Sequence, residues 1–242
     1  MQLVEELCQR FHAQLASQGY VARAGQMIDA TFVEAPRQRN SRDENAQSKA
    51  GTPPADWPEH KRRQQEVAAR WTKKNHEPHY GYKNHVNADE AHQLVRDVAV
   101  TNAAVPDSQV FDELLEQTMD EDGHQRAVYA DSAYRSEAHE EKLAADQLPS
   151  RICEKGPRGH PLTDPQQATN RIKSVRVRVE HVFGAQAQRG GHLVRTIGLA
   201  RAQVKIGLMD LVYNMTRLGQ LLRRDAKRLL CPDPRRGACS VA

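Results

Sequence analysis

The run Arg171-Ile172-Lys173-Ser174-Val175-Arg176-Val177-Arg178-Val179-Glu180-His181-Val182-Phe183-Gly184 constrains the fold most, because it carries two periods at once. Val175, Val177 and Val179 alternate with Arg176 and Arg178, a strand signal, whereas Ile172, Val175, Val179, Val182 and Phe183 mark one face of a helix. The helical stripe covers the longer stretch, so the spacing predicts a helix. Arg176 and Glu180 are then i,i+4 neighbours. Glu180 is a lone carboxylate at the border of the stripe, among Lys173, Arg176 and Arg178. On this stretch alone such an acid reads as a surface ion pair. Any other role must be argued from the rest of the chain.

Ahead of it, residues 3–17 read as an amphipathic helix with Val4, Leu7, Phe11 and Leu15 on one side and Gly19 as its stop. Gln26–Val33 is rich in β-formers and bounded by Gly25 and Pro36, which makes it a strand with Asp29 inside. Asp is depleted in strands, so Asp29 is either a satisfied turn-edge residue or a ligand. Residues 37–76 show no clean period and carry Arg37, Arg39, Arg42, Lys61, Arg62, Arg63, Arg70, Lys73 and Lys74. They read as a long basic insertion, partly helical near Glu59–Arg70 and mobile, either a solvated charge run or a loop facing nucleic acid. Trp57 and Trp71 read as its anchors rather than as base-stacking platforms.

Tyr80–Val86 and Leu94–Thr101 flank Asn87-Ala88-Asp89-Glu90 as a hairpin. A helix over Val110–Met119 ends at Asp122-Gly123. Arg126–Asp131 is a strand with Asp131 at its C-terminal end, and Ser136 caps the helix that follows. Ser150–Glu154 is a short strand before a Gly/Pro-rich loop through Pro165. Residues 197–222 form a long helix in which Val204, Leu208, Leu211, Met215, Leu218 and Leu222 recur at alternating four and three. That stripe fits a dimer seam, but packing on the chain's own sheet gives the same pattern and is the reading preferred. Beyond it the chain turns basic, then Pro-rich, and its end is expected to be disordered.

Composition adds only bounds. Lys and Arg number 35 against 31 Asp and Glu, a net charge of +4 that permits a polyanion partner without proving one. Cys8, Cys153, Cys231 and Cys239 form no CxxC pair and read as reduced thiols in a cytoplasmic protein. No apolar stretch is long enough to span a membrane. His76, His79 and His85 cluster, but no fourth ligand is spaced to complete a zinc site.

Three strands followed by helix–strand alternation suit an antiparallel meander with parallel additions. If the first and fourth strands are neighbours, Asp29 and Asp131 come side by side and the later helix can lower Glu180 toward them. Three carboxylates so close repel unless a cation shares them. An all-oxygen set suits Mg²⁺ or Mn²⁺ rather than zinc, and paired hard cations serve phosphoryl transfer.

Ile28-Asp29-Ala30-Thr31, Tyr80-Gly81-Tyr82-Lys83, Ala130-Asp131-Ser132-Ala133-Tyr134 and Arg176–Gly184 together resemble the DDE transposases of bacterial insertion sequences, specifically the insertion-sequence-five branch. The resemblance runs from about Gly25 to Leu222. It implies a ribonuclease H-like α/β fold, a mixed sheet flanked by helices with the long basic insertion after the first strand. It carries a catalytic and metal-binding triad onto Asp29, Asp131 and Glu180, served by two Mg²⁺ or Mn²⁺ ions. The implied partners are transposon-end and target DNA, and a second copy of the chain assembled on them, with DNA contacts at Lys173, Arg176, Arg178, Arg189 and Lys83. The implied activity is strand cleavage at the transposon end followed by 3′-OH joining to target DNA, in the cytoplasm on nucleoid DNA.

The branch signature is Tyr, two residues, Arg, three residues, Glu, six residues, Lys; here Lys173 replaces the Tyr and Ala187 the Lys, with Gln188 and Arg189 as stand-ins. Family members also carry a helical DNA-binding region ahead of the first aspartate. The expected layout is therefore a short N-terminal helix over 1–24 as the remnant of a longer region, a catalytic domain over 25–224 with insertion 37–76, and a basic tail over 225–242. A truncated, inactive DNA-binding remnant is the rival reading. His181 is a further candidate for touching DNA or capping the site, and Tyr134 reads equally as packing or functional.

Overall fold

The computed structural model describes residues 2–20, 24–50, 54–74, 76–116, 126–156 and 162–230. In chain order the elements are α1 (Gln2–Ser17), β1 (Gly25–Glu34), α2 (Arg42–Lys49), α3 (Glu59–Gln64), β2 (Arg70–Lys74), β3 (Glu77–Asp89), β4 (Val95–Asn102), α4 (Phe111–Leu114), β5 (Ala127–Ala130), α5 (Glu137–Ala145), α6 (Asp164–Ile172), α7 (Val179–Gln188) and α8 (Leu199–Leu230). Three 3₁₀ segments, Asp107–Val110, Ser132–Tyr134 and Lys173–Arg178, lead into α4, follow β5 and join α6 to α7.

β1 is the strand on which the site is built. It pairs antiparallel with β3, Gln26 opposite Asp89 and Glu34 opposite Gly81, and parallel with β5, Ile28 opposite Ala130. β4 and the short β2 pair antiparallel with β3, giving a mixed five-stranded sheet. Gly81 sits where β1 and β3 approach most closely: its φ is +153°, and a Cβ there would lie 2.2 Å from the Val33 carbonyl oxygen.

Alternate residues of β1 face opposite layers. Ile28 packs with Val128 and Ala130 against Phe111, Leu114, Tyr134, Leu143 and Ile152. Met27 packs with Val86 and Ala88 against Val179 and Val182 of α7 and Tyr213 of α8, and Val33 and Tyr82 pack against Ala202 and Ile206. Asp29 shares the Met27 face, so the α7 side of the sheet is where it must act. α1 closes the far end through Leu15, which clusters with Leu94, Leu218 and Leu221. The arrangement is consistent with the ribonuclease H-like fold that the resemblance implies.

Several expectations are corrected. The stretch 37–76 holds α3, the helix expected near Glu59, but also the helix α2 and the edge strand β2, and Glu44 ties it together by accepting from Trp57 Nε1 and Lys61 Nζ, each at 2.6 Å. The segment 150–154 is not a strand but continues the ladder irregularly, with the Arg151 and Cys153 N–H groups donating to Val128 and Ala130. α4 stops at Leu114, and the expected stop Asp122-Gly123 lies outside the described residues, as do Cys231, Cys239 and the end of the tail. α8 runs on to Leu230, so the basic stretch after Leu222 is helical.

The phase of α8 also differs. Its buried face includes Ala202, Ile206, Asp210, Tyr213, Asn214, Leu218 and Leu221, so Leu218 of the heptad stripe is buried while Leu208, Met215 and Leu222 are exposed. Polar groups can sit inside because distant strands satisfy them: Asn84 Nδ2 donates to Asp210, and Asn214 both accepts from and donates to the backbone of Val95.

Finally, Lys173–Arg178 is 3₁₀ rather than α. The Ser174 hydroxyl donates to the Arg171 carbonyl at 2.5 Å, and Val175 and Val177 are β-branched; both weaken an α-helix here.

Candidate active site

The parallel ladder between β1 and β5 sets the site. Ile28 and Ala130 are paired across neighbouring strands, so the next residues, Asp29 and Asp131, stand side by side at the C-terminal end of β5. Each carboxyl is fixed by its own backbone: Asp29 Oδ1 accepts from the Ala30 N–H at 2.8 Å and Asp131 Oδ1 from the Ser132 N–H at 2.6 Å. Asp131 thereby caps the 3₁₀ turn Ser132–Tyr134. Burial raises the Asp29 carboxyl above the usual carboxylate range and the charge of Asp131 adds to it, while the Ala30 N–H, Arg176 and Lys74 pull the other way. Such a pair favours a shared cation.

Arg176 Nη1 lies 3.3 Å from Asp29 Oδ2, so the basic residue of the signature is at the pair. Tyr134 is buried to 1% exposure, and its hydroxyl has no hydrogen-bond partner. Burial, and behind it the charges of Asp107, Asp29 and Asp131, raise its pKa.

Glu180 is not brought to the pair. It is exposed on the first turn of α7 and lines a groove with Gln93, His181, Gln188, Tyr213 and Arg217. Among the described residues no three His, Cys, Asp or Glu side chains gather closely enough to hold a metal ion. The 3₁₀ stretch accounts for this. Each 3₁₀ step turns the chain by about 120° against about 100° for an α step, so Glu180 is rotated roughly 40° further from Arg176 than one continuous helix would set it.

Two of the residues expected at the DNA are engaged within the fold. Lys173 is buried and its ammonium donates to the Ile152 carbonyl at 2.9 Å; Lys83 is buried and donates to the Val105 carbonyl at 2.7 Å beside Asp107. Neither ammonium faces a ligand. Arg178 is half exposed, 3.5 Å from Glu90, and Arg189 is exposed on the Glu180 groove. Of the histidines, His85 is buried beside the Thr101 hydroxyl at 2.8 Å and is pushed down to about 4 by burial, while His79 stacks on Phe32. Lys74, named in the sequence only as one of the basic residues of the insertion, is a further cation whose charge acts on Asp29.

The donor set fits one hard divalent ion. Mg²⁺ is commonly held by one or two carboxylates together with substrate phosphate oxygens, and Asp29 and Asp131 supply that pair. A second ion would need Glu180.

No solved structure matches the chain. The family described as the transposase DDE domain matches residues 22–215, a span that contains Asp29, Asp131, Glu180 and every strand of the sheet. With carboxylates converging from adjacent strands and a basic residue against them, the chain belongs to the transposase DDE domain family, whose general activity is DNA transposition.

Proposed function

We propose that this chain is the catalytic domain of a transposase of the insertion-sequence-five branch, cleaving DNA at transposon ends and joining the freed 3′-hydroxyl to target DNA. The observation that carries the proposal is the juxtaposition of Asp29 and Asp131 on the β1–β5 ladder with Arg176 against Asp29. Strand order supports it: the antiparallel β1, β3 and β4 with parallel β5 beside β1 follow the ribonuclease H-like plan.

In the first step water adds to phosphorus and the bond to the 3′ oxygen breaks. In the second the 3′-hydroxyl attacks a target phosphorus and displaces its 3′ oxygen. Asp29 and Asp131 would hold Mg²⁺ or Mn²⁺, which when bound would supply Lewis-acid stabilisation of the phosphate. Arg176 would hold a non-bridging phosphate oxygen, giving up its contact with Asp29. Arg178 and Arg189 contact the DNA backbone on the α7 side, and two copies of the chain act on the paired ends. Glu180 would complete a second cation site if Lys173–Arg178 and the first turn of α7 rewound together so as to turn it toward the aspartates.

Purified protein incubated with Mg²⁺ and a transposon-end duplex is the test. Cleaved and joined products that vanish in Asp29→Asn or Glu180→Gln are the expected result; full activity in either variant contradicts the assignment.

The displaced Glu180 also favours a second reading, a DNA-binding chain with an incomplete catalytic centre. That protein binds DNA with strong salt dependence and yields no Mg²⁺-dependent products.

A further inference from the structure

Lys83 ends the motif Tyr80-Gly81-Tyr82-Lys83 and stands on β3 opposite Phe32 of β1. Its side chain is only 9% exposed, and its charge is used inside the molecule: the ammonium donates to the Val105 carbonyl at 2.7 Å and lies 2.8 Å from Asp107 Oδ1. Both acceptors belong to the segment that leaves β4, beyond the last rung of its ladder with β3. A buried ion pair adds little to stability over apolar side chains of the same size, because two charges must leave water. What this one adds is direction: one ammonium fixes a main-chain and a side-chain oxygen of the same loop against the sheet.

The loop so held is the support of Asp131. Asp107 opens the 3₁₀ turn Asp107–Val110, which runs into α4, and that turn packs on the turn Ser132–Tyr134. Val110 and Phe111 are buried in one cluster with Tyr134, Val105 packs against the same cluster, and the Phe111 and Tyr134 rings lie 5.6 Å apart. Tyr134 donates its N–H to the Asp131 carbonyl at 3.0 Å, within the turn that Asp131 caps. A continuous chain of contacts thus joins the Lys83 ammonium to the backbone of Asp131. Asp29 lies inside the β1–β3 ladder, opposite Val86, whereas Asp131 follows the last paired residue of β5, so its place depends on the turn after it.

We propose that Lys83 is a positioning residue for Asp131: with Asp107 it fixes the turn Asp107–Val110 against the sheet, and that turn sets the Ser132–Tyr134 turn and with it the separation of the two aspartates. The inference rests on the reading of Asp29 and Asp131 as a cation-holding pair and adds what keeps the pair in register. The rival role for Lys83 is the phosphate contact that the sequence suggested. The two differ in the ligand whose binding they govern.

The test is calorimetric titration of Mn²⁺ into the full, DNA-free chain, beside binding of a DNA duplex in EDTA. The double variant Lys83→Met/Asp107→Asn removes the clamp without changing net charge or leaving a buried charge unpaired. It should bind Mn²⁺ about tenfold more weakly than wild type, with duplex affinity and its salt dependence unchanged. Lys83→Met alone should also bind Mn²⁺ more weakly, although losing a nearby positive charge by itself favours a cation. Strand cleavage by the double variant should return to the wild-type rate at high Mg²⁺. Wild-type Mn²⁺ affinity in the double variant overturns the proposal, and so does a cleavage rate lowered equally at every Mg²⁺ concentration, which would reduce the pair to packing. A weaker duplex complex in Lys83→Met, with a salt slope reduced by about one, overturns it in favour of a phosphate contact. If wild type binds Mn²⁺ through Asp29 and Asp131 and the variants match it, the positioning role alone fails; if wild type binds no Mn²⁺, the role and the site it rests on fail together.

Discussion

The two aspartates and the glutamate are held by different kinds of structure. Asp29 and Asp131 sit on adjacent strands whose register is fixed by backbone pairing from Gly25–Ala127 to Ile28–Ala130. A slip of one residue would turn Met27 and Ile28 to the wrong layers, so that register is strongly specified. Glu180 stands just after six residues of 3₁₀ helix, a length at which that conformation is seldom stable. Strand-borne groups are placed once, by the fold; a helix-borne group is placed by phase, and phase changes with the winding of a few residues.

The far end of α7 is fixed as well. Gln186 Nε2 donates to Asp210 Oδ1 at 2.5 Å, and Asn84 Nδ2 donates to the same carboxylate at 3.0 Å, tying α7, α8 and β3 together. Any change in the phase of Glu180 must therefore be taken up ahead of Gln186, across Lys173–Arg178 and the first turn of α7.

The largest expected effect breaks the fixed half. Asp29→Asn and Asp131→Asn should each lower Mg²⁺-dependent strand cleavage on the order of 10³-fold while leaving the thermal midpoint within a few degrees, because several kcal/mol of charge stabilisation is lost from the reaction and none from the ladder. A much smaller loss of cleavage, or unfolding, would show that the aspartates are structural.

Next comes the clamp. Burial raises the Asp210 carboxyl from its ordinary value to about 7, against the two amide donors that lower it. A carboxyl raised in the folded state contributes stability that is complete below its unfolded pKa and is lost as pH rises through about 7. Urea unfolding should therefore show a protein less stable at pH 8 than at pH 5 by on the order of a few kcal/mol, and Asp210→Asn should flatten that dependence. An unchanged slope in the variant would remove Asp210 from the account.

The smallest effect probes the movable half. Val177 is 42% exposed within the 3₁₀ stretch, and replacing it with Ala favours α-helix by about 0.5 kcal/mol. Cleavage by Val177→Ala should rise about twofold and cleavage by Val177→Gly should fall, by single-turnover assay. The opposite order would mean that rewinding plays no part.

The fixed half was legible in the sequence and the movable half was not, for a physical reason. Gln26–Val33 and Arg126–Asp131 announce themselves by dense β-formers, the first with Asp29 inside it and the second ending in Asp131, and pairing on buried faces leaves one register. Val175, Val177 and Val179 pull toward strand while Ile172, Val175 and Val179 pull toward helix; the 3₁₀ segment is the local compromise, which neither period describes. β2 was hidden because Arg70-Trp71-Thr72-Lys73-Lys74 is an edge strand with no apolar alternation, formed only because β3 offers it a partner. The buried face of α8 was misread because Asp210 and Asn214 find their partners at Asn84 and Val95, more than a hundred residues away.

Calorimetric titration of Mn²⁺ into the DNA-free protein tests the central claim most directly. The account predicts that wild type and Glu180→Gln bind one ion with the same affinity and that Asp29→Asn and Asp131→Asn do not bind it. Binding that survives loss of either aspartate, or that disappears in Glu180→Gln, would contradict it.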